Sequence, residues 1–229
     1  ISLGLVGSEM CIRDRVNIHY NKTLGNEITL EYLTNSYDAS LLAIGAWLAQ
    51  DPHIADMEQM EGIYSGIDYL ERVSKYEKPF ENSRVIIVGG GNTAIDCART
   101  AIRFNNDVTI LYRRTRDEMP AEDYEIKYAE DEGVKFIFLA APVRTVGEYG
   151  KLKGIECSKM RLGSPDATGR RSPEIINDEN FILECDYLIP AIGQKPDMSF
   201  IKAEDGLEIT KWNTIVCDKA VSYTHLTLP

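Results

Sequence analysis

Arg84-Val85-Ile86-Ile87-Val88-Gly89-Gly90-Gly91-Asn92-Thr93-Ala94-Ile95-Asp96-Cys97-Ala98 is the stretch that decides how this chain is read. It reads as a buried strand, a glycine turn and the start of a helix. Folds that hold a dinucleotide pyrophosphate are built this way. The glycines let the backbone turn tightly and approach the phosphates. The helix N-terminus then presents free N–H groups and the positive end of its dipole. Gly89, Gly91 and Ala94 fill a G-x-G-x-x-A pattern, and the strand before it and the helix after it supply the context that the pattern alone lacks.

Asp107-Val108-Thr109-Ile110-Leu111-Tyr112 reads as the next parallel strand. In an NAD site an Asp or Glu is expected near its end, roughly 20 residues past the glycines, on the ribose 2′-OH. This strand runs instead into Arg113 and Arg114, with Arg116 close behind. Guanidinium groups there pair with a 2′-phosphate, so the expected cofactor is NADPH. The alternative for the same arginines is a solvated surface run.

Two hundred and twenty-nine residues suffice for one large domain or two small ones. A net charge of −11 argues against a nucleic-acid partner. No apolar stretch is long enough to cross a membrane. Cys11, Cys97, Cys157, Cys185 and Cys217 form no C-x-x-C pair and no cluster with metal spacing, so no metal site is expected. Reduced thiols in a cytoplasmic protein are the natural reading. His19, His53 and His225 are scattered, and none sits by a Ser or Cys nucleophile. Residues 1–15 and 221–229 resemble translated sequencing-adapter tails and are expected to be artefactual.

Along the chain, a short strand is expected at Val16–Tyr20 and a short helix at Thr29–Thr34. A buried strand is expected at Tyr37–Ala46, a loop over 47–62, a helix at Tyr64–Ser74 and a polar connector at Pro79–Ser83. The nucleotide unit follows as strand Val85–Val88, helix Asn92–Phe104 and strand Val108–Tyr112. A charged helix at Glu122–Glu132, stopped by Gly133, and a strand at Val134–Ala140 complete it. Val143–Leu162 suggests an antiparallel meander of short strands, Gly163–Pro173 a polar loop, and Tyr187–Gly193 another buried strand. Ala-Ile-Gly closes a buried stretch twice, at Ala43-Ile44-Gly45 and at Ala191-Ile192-Gly193. Cys97 reads as a core thiol, Arg99 and Arg103 as a solvated helix face, and Glu118 as non-catalytic.

Three stretches carry a family resemblance: V-G-G-G-N-T-A-I-D-C-A-R-T-A at 88–101, L-Y-R-R-T-R-D-E-M-P-A at 111–121 and P-A-I-G-Q-K-P-D at 190–197. Together they resemble the small (beta) subunits of glutamate synthase. They are also similar to the flavin and NADPH part of dihydropyrimidine dehydrogenase and to NADPH:ferredoxin-type oxidoreductases. The resemblance implies an α/β fold in which a Rossmann-like three-layer NADPH-binding domain (81–193) is inserted in an incomplete FAD-binding domain (16–80 and 194–220). It implies NADPH on Gly89, Gly90, Gly91, Asn92, Thr93, Ala94, Arg113, Arg114, Arg116, Ala191, Ile192 and Gly193, and FAD near Ile44 and Gly45. It implies hydride transfer from NADPH to FAD, then electron transfer to a large glutamate synthase subunit or another electron-accepting subunit. No side chain is expected to be catalytic, because nicotinamide and flavin carry that chemistry. A nucleotide-binding module without activity of its own is the alternative.

Overall fold

The computed structural model describes residues 16–77, 80–165 and 171–217. Both suspected tails lie outside them. The chain divides into two compact units. Residues 47–195 form one; the described residues on either side, 16–46 and 196–217, form the other.

At the centre of the larger unit is a four-stranded parallel sheet. Its strands are β2 (Arg84–Val88), β3 (Asp107–Tyr112), β4 (Lys135–Phe138) and β8 (Tyr187–Pro190), in the order β4-β3-β2-β8. Val85 lies level with Val108 on one side and with Tyr187 on the other. Period-two alternation sends the strand residues to two separate cores. Val85, Ile87, Val108, Ile110 and Ile189 face one core, while Ile86, Val88, Leu111 and Leu188 face the other.

Helices α2 (Gly66–Ser74), α3 (Asn92–Ile102) and α4 (Asp123–Asp131) cover the first face. They bury Tyr69, Ile95, Cys97, Ala98, Ala101, Ile126 and Ala129 there. The second face is covered by an antiparallel sheet rather than by helices. Its strands are β5 (Ala140–Glu148), β6 (Lys151–Pro165) and β7 (Arg171–Glu184), in that order. It contributes Ala140, Leu152, Ile155 and Cys157 to the core. The expected three layers are present as helices, parallel sheet and antiparallel sheet.

Several expectations are corrected. Val134–Ala140 is not one strand: Leu139 adopts φ 55°, and there the chain leaves the parallel sheet for the antiparallel one. The meander consists of long strands, and the loop expected over 163–173 is instead strand as far as Pro165 and again from Arg171. The structure also does not divide near residue 80. Helix α2 belongs to the larger unit because Phe80 stacks on Tyr187 at 4.0 Å and on Tyr69 at 5.3 Å, and Tyr69 is fully buried. Residues 62–64 flank β8, with the Tyr64 N–H donating to Leu188 O at 3.1 Å. Two short strands, β1 (Leu48–Ala49) and β9 (Gln194–Lys195), pair antiparallel at the two edges of this unit.

The smaller unit holds helix α1 (Leu30–Ser36), capped by Thr29, whose Oγ1 accepts from the Tyr32 N–H at 3.1 Å. Neither Val16–Tyr20 nor Tyr37–Ala46 is a strand. Leu41 is 85 % exposed. An apolar run becomes a strand only where neighbours take its backbone groups, and no described residue pairs with either segment as a strand.

Candidate dinucleotide-binding site

The sheet order places β3 and β4 on one side of β2 and β8 on the other. The connections therefore diverge at the carboxyl end of β2, the crevice in which such folds bind ligands. The glycine turn follows β2 at that point, and Ala191–Gly193 follows β8 beside it. The Ala191 N–H donates to Val88 O at 2.8 Å, and the Gly89 N–H to Leu111 O at 3.1 Å.

The three glycines have different reasons to be there. Gly89 sits at φ +147°, and a Cβ on it would overlap the Ala191 carbonyl oxygen. Gly90 lies under the Tyr112 ring, where a Cβ would come within 2.6 Å of a ring carbon. Both are demanded by packing. Gly91 caps α3 in ordinary extended backbone, φ −93° and ψ 175°. A Cβ there would touch only Pro120 Cγ, at 3.8 Å. The space beside Gly91 is open, and it lies at the N-terminus of an eleven-residue helix, whose first N–H groups have no intrahelical acceptor. This cradle suits a pyrophosphate.

Asn92 and Ala94 build the cradle. Asn92 Oδ1 accepts from the Glu122 N–H at 3.2 Å, and Ala94 is fully buried. Thr93 packs its methyl group toward Gly66: a Cβ on Gly66 would meet Thr93 Cγ2 at 3.2 Å and Ala191 Cβ at 3.1 Å. The start of α2 is thus wedged against the start of α3 and the end of β8. The Ser65-x-x-Asp68 cap was the available signal for that helix start, since Ser65 Oγ accepts from the Asp68 N–H at 3.1 Å.

The loop after β3 folds back over the turn. Tyr112 OH donates to Glu118 O at 2.7 Å, and the Ala121 N–H donates to Gly90 O at 3.1 Å. Glu118 is structural. Its carboxylate accepts from the Thr115 hydroxyl and from the Thr115 N–H, and the hydroxyl bond above all lowers its pKa.

The structure separates the three arginines of this loop. Arg113 is exposed. Arg114 is only 7 % exposed, and its Nε donates to Arg171 O at 3.0 Å. Arg116 turns to α4, with Nη2 3.3 Å from Glu130 Oε2 and Nη1 3.9 Å from Asp123 Oδ1. Ala191 borders Gly89, Ile192 is 40 % exposed, and Gly193 at φ +127° accepts from the Gln50 N–H at 3.1 Å. Ile44 and Gly45 belong to the smaller unit.

Cys97 is buried, and burial pushes its thiol pKa up. Arg99, expected on a solvated face, is 21 % exposed and bridges Glu125 at 2.6 Å and Glu132 at 2.8 Å, tying α3 to α4 and to the residue that follows it. No helix among the described residues is long and apolar enough to cross a membrane.

Among known proteins, the family described as pyridine nucleotide-disulphide oxidoreductase matches residues 9–226. The beta subunit of the NADPH-Fe(3+) oxidoreductase of Geobacter sulfurreducens is 44 % identical, over 88 % of this chain and 30 % of that protein. The beta subunit of the NADP(+)-dependent formate dehydrogenase of Moorella thermoacetica is 39 % identical, over 92 % of this chain and 30 % of that one. The small chain of the NADPH glutamate synthase of Azospirillum brasilense is 35 % identical, over 91 % and 46 %. The chain therefore spans between 30 % and 46 % of the length of these relatives. Among solved structures, FprA of Mycobacterium tuberculosis in complex with NADPH superposes with a TM-score of 0.68 at 17 % identity, covering 83 % of this chain and 56 % of that one. T. acidophilum thioredoxin reductase gives 0.56 at 19 % identity, over 74 % and 49 %. These likenesses show the same α/β fold.

Proposed function

The chain belongs to the pyridine nucleotide-disulphide oxidoreductase family, and from that premise we propose that residues 47–195 are the NADPH-binding part of an electron-transfer subunit. The observation that carries this reading is the open space at Gly91, between the N-terminus of α3 and the arginine loop. The names of the relatives support the choice of cofactor. Three different activities, iron reduction, formate oxidation and glutamate synthesis, match along nearly the whole of this chain, and all three names specify NADP(H). What the matched stretch is proposed to share with them is exchange of hydride with NADP(H).

In this proposal the N–H groups at the start of α3 bind the pyrophosphate, and Gly91 leaves room for it. Arg113 meets the 2′-phosphate, and the backbone of Ala191–Gly193 borders the nicotinamide end. Bound NADPH supplies a hydride, and no side chain of this chain needs to move a proton for it. The flanking residues 16–46 and 196–217, with Ile44 and Gly45, are proposed as parts of an FAD-binding domain. Among the described residues they contain no strand, glycine turn and helix cradle, so no flavin contact is assigned to them.

The whole protein is proposed to pass electrons through flavin to an accepting subunit. Glutamate synthase is one setting; the higher identity to the iron-reducing and formate-oxidising subunits favours another member of the group. The free cysteines suit a reducing compartment, and the cytoplasm is the one proposed. Calorimetric titration of the full chain with NADPH and NADH tests the reading. NADPH is expected to bind more tightly; equal affinities, or no binding, would refute it. The coding sequence beside this one tests the partner: a large amidotransferase subunit there marks glutamate synthase.

A further inference from the structure

Arg113 and Arg114 are neighbours in sequence with different tasks. Arg114 is buried, its Nε is bound to Arg171 O at 3.0 Å, and its own carbonyl accepts from the Leu139 N–H at 3.1 Å. It ties the end of β3 to the start of β7. What this strut brings to the arginine loop is Arg171 itself. The Arg171 side chain is exposed, at the point where β7 begins opposite Pro165 of β6. Its charge reaches the Glu118 carboxylate, as does that of Arg114. Glu118 is anchored to Thr115, only two residues past Arg113. Two guanidinium groups, those of Arg114 and Arg171, thus act on one carboxylate in the loop that carries Arg113, and the cation on β7 comes from outside the strand–helix–strand unit that cradles the pyrophosphate.

We propose that Arg171 is a specificity-determining residue for the 2′-phosphate of NADPH, and that Arg114 is the positioning residue that holds it beside Arg113. This rests on the NADPH reading above. A phosphate monoester carries up to two negative charges and accepts hydrogen bonds on three oxygens, so guanidinium groups from two sides grip it better than one. The geometry also makes the idea separable from folding. Arg114 holds the main-chain oxygen of Arg171, so changing the Arg171 side chain leaves the strut intact.

Titration of the full chain with NADPH and with NADH, alongside melting curves, provides the test. Arg171→Ala should weaken NADPH binding by about tenfold or more. NADH binding should stay within about twofold, and the melting temperature should not change. Arg171→Lys should recover part of the loss, because a point charge replaces a planar fork. Arg114→Ala should weaken NADPH binding and also lower the melting temperature, since it removes a buried strut. If the unsubstituted chain prefers NADPH and Arg171→Ala keeps that preference, the proposal for Arg171 falls alone. If Arg171→Ala weakens both cofactors equally, the residue is merely structural and the proposal also falls. If the unsubstituted chain does not prefer NADPH, the reading of the site falls and this proposal with it.

Discussion

Gly91→Val should abolish dinucleotide binding and leave the fold intact. A Cβ at Gly91 meets only Pro120 Cγ, at 3.8 Å, and the backbone is extended with negative φ, so valine is neither crowded nor strained there. The cost to folding is the change of an N-cap from glycine to a β-branched residue, about 1 kcal/mol. In a protein of this size that lowers Tm by about 2–4 °C. The cost to binding is larger, because the side chain fills the space the pyrophosphate needs. Losing two N–H contacts to an anion, at about 1.5–3 kcal/mol each, removes about 3 kcal/mol or more, at least about a hundredfold in Kd. Gly89→Ala is the contrasting variant. Its Cβ would overlap Ala191 O at a backbone of φ +147°, so the fold itself should suffer. Melting curves and NADPH titration of both variants separate the two effects. A folded Gly91→Val chain with NADPH affinity within about threefold of the parent would refute the placement of the phosphates.

Three further outcomes are expected. The Tyr69 hydroxyl is buried without a hydrogen-bond partner among the described residues, so Tyr69→Phe should be neutral or stabilise by about 1 kcal/mol in denaturant unfolding; a clear loss would show that the hydroxyl is satisfied. Burial pushes the Cys157 and Cys185 thiols up to about 12, and the Cys97 thiol upward also; at pH 8 iodoacetamide should label exposed Cys217 and spare these three, as read by peptide mass spectrometry. Arg84 bonds Asp186 through Nε at 3.1 Å and Nη2 at 2.9 Å and holds its carboxyl below the ordinary 3.8. A depressed folded value means that this stabilisation is present above the unfolded value and is lost as pH falls through the folded one. Asp186→Asn should therefore flatten the stability profile below about pH 4, by about 1 kcal/mol or less since the pair is partly exposed; an unchanged profile would show that the pair contributes nothing.

What could be read from the sequence and what could not differ for a physical reason. Strand β2, the glycine turn and α3 were legible because their signals are local: a run of four apolar residues, three adjacent glycines and helical spacing of Ala94, Ile95, Ala98 and Ala101. The apolar run Leu41-Leu42-Ala43-Ile44 carries a comparable local signal and still forms no strand, because among the described residues it enters no sheet pairing. The antiparallel layer was legible only in part. β7 alternates weakly, with Ile175 and Ile182 about 60 % exposed, and its place is set by register with β6 rather than by its own pattern. In the site, Arg113 and Arg114 look equivalent in sequence, and nothing local says that one is exposed and the other buried. That difference arises from the carbonyl of Arg171, which arrives from the far end of a hairpin and takes up the Arg114 guanidinium. The glycine turn thus belongs to a local code, and the second cation of the proposed phosphate subsite belongs to tertiary structure. Under that proposal, cofactor preference depends on how β7 docks on the loop after β3, as well as on the residues in that loop.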